Sequence, residues 1–281
     1  MTTRTFQAPS AGPVVMHVTS HVGKVKAIVD ARLRHAQVTV ETSEDSGRYA
    51  EAVAATRFAE ERVNHGVQVR VTVPEVRNVT HHSGGSSYHF GERVTFAGGM
   101  NIGGVSGIQT TSDGDVIIGG RRVVQNGRVV ADKGTVVSGP AATITVTVRL
   151  PRDCAVLLST TSADLEVVGD VAAVGVTSVS GDVELGGTVG WLTVNTVSGD
   201  VTADRVGRSV SHSSVSGDLE VLAYGGEAFE SASTSGDVRV TATPAATGAL
   251  SARSVSGDVI TTNAQHLYLR TSTMTGRARN H

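Results

Sequence analysis

Five aspartates, Asp182, Asp200, Asp218, Asp237 and Asp258, each close a Ser-Gly-Asp tripeptide, and they return every 18 to 21 residues. Carboxylates repeated at one position of a winding chain could act as hard oxygen ligands, a cation ladder with calcium as its natural ion. They could equally be turn residues, because aspartate and serine side chains hydrogen-bond nearby backbone amides while glycine adopts the positive φ of a sharp turn. Calcium-winding nonapeptide repeats carry glycine and aspartate at about half this interval, so the turn reading is the stronger one. It assigns Gly181, Gly199, Gly217, Gly236 and Gly257 as structural turns and leaves no metal site. It also raises an electrostatic demand. Like charges about 5 Å apart repel by near 1 kcal/mol per pair in water and by more in a poorly solvated groove, so the row must be well hydrated or have positive groups along it.

Histidine is the other residue type that could carry chemistry. The valines around His17 and His21 indicate a strand, which would place both on one face about 13 Å apart, too far to share one ion. His81, His82 and His89 could converge on a metal from a glycine-rich loop, but such residues are more simply solvated. No Gly-x-Ser-x-Gly elbow, His-Glu-x-x-His helix or phosphate-binding Gly-Lys-Ser/Thr loop is present, and the acidic residues are spread evenly rather than clustered. The charged runs Glu60-Glu61-Arg62 and Arg121-Arg122 read as solvated surface. The expectation is a protein with no catalytic residues and no cofactor.

The elements that carry the marks are β throughout. Charged residues make up 18% of the 281-residue chain and aromatics 4%, while 33 glycines accompany abundant valine, serine and threonine. Aligned on their aspartates, the repeats place Leu165, Val183, Val201, Leu219, Val238 and Val259 one residue later. Eight residues earlier come Val174, Leu192, Val210, Phe229 and Leu250, and four earlier Ser178, Thr196, Ser214, Ser233 and Ser254. Columns of one chemical type are what coils stacked about 4.8 Å apart require, since each side chain rests on its equivalent in the next coil. The fold class is therefore all-β, a β-solenoid (β-helix) with coils of 18–21 residues over 143–276 and a short tail at 277–281.

Residues 1–75 read as a β-rich segment, with strands at Val14–Val18, Val22–Val29, Gln37–Glu41 and Val67–Val73. One short helix is expected at about 48–62, capped by Ser46, with Tyr49, Val53 and Phe58 on one side. Residues 76–142 are glycine-rich, either irregular coils or an inserted hairpin, with a two-residue turn at Asn126-Gly127. Cys154, the sole cysteine, excludes an intrachain disulfide and reads as a small buried hydrophobe.

The recurrent Val-Ser-Gly-Asp-Val of Val179 to Val183, Val197 to Val201 and Val255 to Val259, with Val-Ser-Gly-Asp-Leu at Val215 to Leu219, resembles the bacterial β-strand-repeat proteins known as putative adhesins or toastrack-type domains. The resemblance is firm over Thr143 to Gly276 and weaker over the first 75 residues. It implies a single-stranded, right-handed β-helix with a role in surface, envelope or stress-linked assemblies, and it brings no catalytic residues with it.

The functional expectation is a non-enzymatic structural or interaction module that presents a binding surface to a protein or glycan partner, with a second copy of the chain as a further candidate. A β-helical part of a phage tail or injection particle, and a carbohydrate-active β-helix enzyme, are the alternatives. A formal net charge of -2 offers no broad basic field for nucleic acid. The N-terminus lacks the basic start and apolar core of a secretion signal, and no stretch approaches the roughly 18 apolar residues that span a bilayer. The chain is thus expected to be cytoplasmic at synthesis, without membrane insertion.

Overall fold

The computed structural model describes residues 1–63, 66–76 and 143–281, and in addition the short strands Val94–Thr95, Asn101–Ile102, Ile108–Thr110, Val116–Ile118, Arg121–Gln125 and Arg128–Val129. The chain divides into two units, Met1–Arg77 with Ala142–His281, and Asn78–Ala141. The second unit contains an antiparallel sheet of four strands and a pair of two-residue strands. Gln125 pairs with Arg128 there, and the turn expected at Asn126-Gly127 lies outside the described residues. His81, His82 and His89 lie outside the described residues.

The first unit is a β-solenoid of about seven regular turns made from stacked parallel strands. Two ladders of strands run along it. In one, the aliphatic column read from the sequence is continuous: Leu165 pairs with Val183, Val183 with Val201, Val201 with Leu219, Leu219 with Val238 and Val238 with Val259. In the other, Val174, Leu192, Val210, Phe229, Leu250 and Leu269 stack in the same way. All of these except the last are buried, and alternation with outward polar residues gives strands such as Ala228–Ser233 and Val238–Ala242 one interior face. The core is thus a set of aliphatic stacks parallel to the solenoid axis, filled mostly by valine and leucine.

The chain does not wind in simple sequence order at its N-terminal end. The coil formed by Val14–Thr19 and Val22–Val29 lies between two others. On one side it pairs with Ala155–Ser159 and Ser162–Val168, and on the other with Gly66–Thr72 and Ile144–Leu150. Strands on either side of the inserted unit therefore form a single rung, and the core column extends through Val25 to Val146. Antiparallel strands finish this end: Thr2–Ala11 pairs with His35–Thr42, which pairs with Ile144–Leu150, while Arg57–Val63 pairs with Gly66–Thr72.

Three local expectations are corrected. The helix is only Arg48–Ala54, with Gly47 rather than Ser46 at its N-cap and no side-chain cap bond. The rest of the alanine-glutamate run becomes the strand Arg57–Val63, because seven register pairs with Gly66–Thr72 and the stacking of Phe58 on Phe6 at 5.1 Å outweigh helix propensity. The tail is a strand as well: Ala278–Asn280 continues the ladder beside Val259–Thr262. His17 and His21 also fall on different elements, one within Val14–Thr19 and the other in the corner before Val22–Val29. Cys154 is fully buried, and its sulfur accepts the amide N–H of Val14 at 3.2 Å.

Candidate functional site

Each Ser-Gly-Asp mark sits at the corner where the chain passes from one ladder to the other. Along this corner the marks form an open trough of ≈ 430 Å³ lined by Ser180, Gly181 and Asp182, Ser198, Gly199 and Asp200, and Ser216, Gly217 and Asp218. The valines that open the motif, Val179, Val197, Val215 and Val255, are about half exposed, so an apolar ridge borders an acidic groove.

The carboxylates are held by the backbone of the next coil. The amide of Asp182 donates to Asp164 Oδ1 at 3.1 Å, that of Asp200 to Asp182 at 3.0 Å, and that of Asp218 to Asp200 at 2.8 Å. The chain of bonds continues from Asp237 to Asp218, Asp258 to Asp237 and Arg277 to Asp258, each at 2.8 Å. The residue after each aspartate then donates its amide to the aspartate carbonyl of the following coil, as Val183 does to Asp200 at 2.8 Å. A carboxylate accepting an N–H is stabilised in its charged form, which offsets part of the repulsion along the row.

Cations supply the rest. Asp164 stands in register with Lys24, and Lys24 and Lys26 both reach Glu166, at 2.7 and 2.6 Å. These contacts hold the Glu166 carboxyl below its ordinary value, and the Lys24 amine is raised, first by its hydrogen bond to Glu166. Farther along, Arg239 contacts Asp237 at 2.6 Å and Asp218 at 3.8 Å. The ladder is thus hydrogen-bonded and open to water, with Lys24 beside its first member and Arg239 beside Asp218 and Asp237. No cluster of three metal-ligating side chains occurs among the described residues.

The glycines serve two different turns. Gly181, Gly199 and Gly217 have φ of 133°, 134° and 149°, the left-handed region expected of them, whereas Gly236 and Gly257 do not. In the latter two the preceding Ser233 and Ser254 hydroxyls accept the glycine amide at 2.9 Å, so the small polar column takes over the turn. Glycine is still needed there, since a Cβ on Gly236 would strike the carbonyl oxygen of Gly217 in the rung before.

The fold and its repeated corner have their counterpart in a known group of sequences. The model of a family described as Toastrack DUF4097 matches residues 16–276. The chain belongs to the Toastrack DUF4097 family. Among solved structures, a "putative adhesin" from Bacteroides fragilis NCTC 9343 is similar over 99% of this chain and 97% of its own, at 13% identity and a TM-score of 0.49. A "putative cell adhesion protein" from Clostridium sporogenes ATCC 15579 is similar over 99% of this chain and 98% of its own, at 9% identity and a TM-score of 0.35. No curated protein matches the chain. The Toastrack solenoid places two polar features that the repeats do not announce. His212 and Tyr224 are both buried, and burial lowers the histidine to about 4 and raises the tyrosine to about 12. His212 Nδ1 shares a hydrogen with Ser231 Oγ at 3.0 Å, while its Nε2 has no partner among the described residues. Among the described residues no helix is long and apolar enough to cross a membrane.

Proposed function

We propose that this Toastrack protein is a non-enzymatic, adhesin-like interaction module whose solenoid surface binds a protein or a glycan. The observation that carries this reading is the translational repetition of the Ser-Gly-Asp corner. Asp182, Asp200 and Asp218 present one chemical group in one environment, each accepting the next coil's amide. Catalysis draws on groups whose environments push them into different roles, an acid against a base or a nucleophile against its activator. A row of equivalents suits a repetitive partner instead, met by the same contacts at successive rungs, with affinity accumulated over many weak sites.

The test is binding without turnover. Purified protein is applied to an array of glycans and to extracts of surface proteins, and in parallel to a panel of polysaccharide substrates. Saturable binding with unaltered substrates is the expected result. Cleavage of any polysaccharide that is abolished by one acidic substitution on the solenoid would make the protein an enzyme and end this reading.

A further inference from the structure

Trp191, the chain's sole tryptophan, is 47% exposed on the outside of the solenoid. Exposed indole has no packing role in the core, and its surroundings are specific. The guanidinium of Arg208, contributed by the following rung, lies 4.7 Å from the ring centroid and covers one face. On the preceding rungs the register partners of Trp191 are Ala173 and then Ala155, so no large side chain in that column competes for the other face. Three residues from the indole along the chain, a depression of ≈ 230 Å³ is lined by Gly187, Thr188, Asp204 and Arg205. Three residues span no more than about 10 Å, so indole and depression lie within one short ligand's reach.

The charges beside this depression are left open. Neither the Arg205 nor the Arg208 guanidinium has an ion-pair partner among the described residues. Asp204 spends one oxygen on the amide of Gly187, at 3.3 Å, and keeps the other free. Two guanidinium groups without an ion pair among the described residues, one of them stacked on the indole, stand here with the carboxylates of Asp204 and of Asp170, which accepts the Thr188 amide at 2.8 Å, and together they form a set with a definite complement. The indole face, negative at its centre, attracts the slightly positive C–H face of a pyranose ring. A guanidinium takes a carboxylate bidentately, and the free Asp204 oxygen can accept a sugar hydroxyl.

We propose that this corner is a binding subsite for an acidic saccharide, a uronate-bearing glycan whose ring stacks on the open face of Trp191, backed by Arg208 on the other face, while its carboxylate reaches past the indole edge to Arg205 at the depression. The site rests on the interaction-module reading and names its ligand class. It lies on a different part of the rung from the Ser-Gly-Asp trough, and its cations complement an anion that the trough would repel.

The single tryptophan makes the test direct. Tetragalacturonate is titrated into the full-length protein while Trp191 fluorescence is followed, with maltotetraose as the neutral control and polyglutamate as the non-sugar polyanion. A saturable shift in emission with tetragalacturonate, weakened by salt and absent with both controls, is the result expected. By calorimetry, Trp191→Ala and Arg205→Gln should each lower affinity roughly tenfold or more, and Trp191→Phe should retain most of it. Equal response to maltotetraose, or a response to polyglutamate, overturns the proposal. Binding to a glycan or a surface protein with Trp191 emission unmoved by tetragalacturonate removes this subsite but leaves the interaction module standing, whereas no binding to any glycan or surface-protein extract removes both.

Discussion

The backbone amide of Asp200 donates to the carboxylate of Asp182, and the carboxylate of Asp200 accepts from Asp218 in turn, at 3.0 and 2.8 Å. Each aspartate is therefore both donor and acceptor in one chain of bonds that runs through the solenoid corner. We propose that the motif needs an acceptor at that position more than it needs a charge; a cation ladder would depend on the charge itself, so the two readings predict different behaviour of an asparagine variant.

Asp200→Ala should destabilise the protein by about 1 kcal/mol, because the Asp218 amide exchanges a charged acceptor for water at an exposed corner. Asp200→Asn keeps an acceptor oxygen while removing one of the repelling charges, and should cost less. Thermal unfolding of both variants, with and without calcium, gives the comparison. If the asparagine variant falls as far as the alanine variant, or if calcium raises the melting temperature of the unaltered protein alone, the carboxylates have a role beyond accepting amides.

Gly199→Val should cost about 1 to 3 kcal/mol through a φ of 134° that a β-branched residue adopts only under strain. A Cβ at Gly199 would also meet the Gly181 carbonyl; Gly236→Val should destabilise for this steric reason alone, its Cβ meeting the Gly217 carbonyl and, at 3.0 Å, Ser233 Oγ. Adding Ser233→Ala to the Gly236 variant removes the second obstacle and leaves the first. A melting temperature for Gly199→Val equal to that of the parent would mean the left-handed turn is absent in solution.

The columns were legible because a stacked coil repeats its chemistry at a fixed interval, so Leu192, Val210 and Phe229 could be placed over one another without coordinates. The interleaved N-terminal coil was not. Val14–Thr19 and Gly66–Thr72 carry plain alternation, which fixes an inward face but says nothing about which strand lies beside which. The strand Arg57–Val63 was hidden behind good helix formers, and only its pairing with Gly66–Thr72 reveals why it is extended. The two glycine turns share one tripeptide, so their different φ values could not be read from it. Trp191 occurs once in a repeat array, and a residue with no counterpart in the other rungs leaves no periodic signal.

Interior stacking makes large demands on single side chains. Leu192 is 1% exposed and lies between Val174 and Val210, so truncation opens a cavity bounded by two rungs that cannot close independently. Leu192→Ala should cost about 2 to 5 kcal/mol, and Leu192→Val clearly less. Urea unfolding followed by circular dichroism gives the values. A loss below 1 kcal/mol would show that neighbouring rungs relax into the space and that the stack is looser than its register implies.

His212 stands where the preceding rung has Val194 and the following rung Ser231, and burial holds its imidazole neutral to about pH 4 against an ordinary value of 6.5. The sign follows from linkage: the unfolded chain takes up the proton first, so the effect is absent above the ordinary value and grows as pH falls from there to about 4. At 1.36 kcal/mol for each unit, the loss levels off near about 3 kcal/mol. Replacing His212 by valine together with Ser231 by alanine removes both members of the buried hydrogen bond, a change that can be neutral or favourable. Melting temperatures of parent and double variant, recorded from neutral pH downward, should diverge in that window, with the parent falling faster. Parallel curves would mean that the imidazole is already solvated when folded and that the coil around Ser231 opens to water.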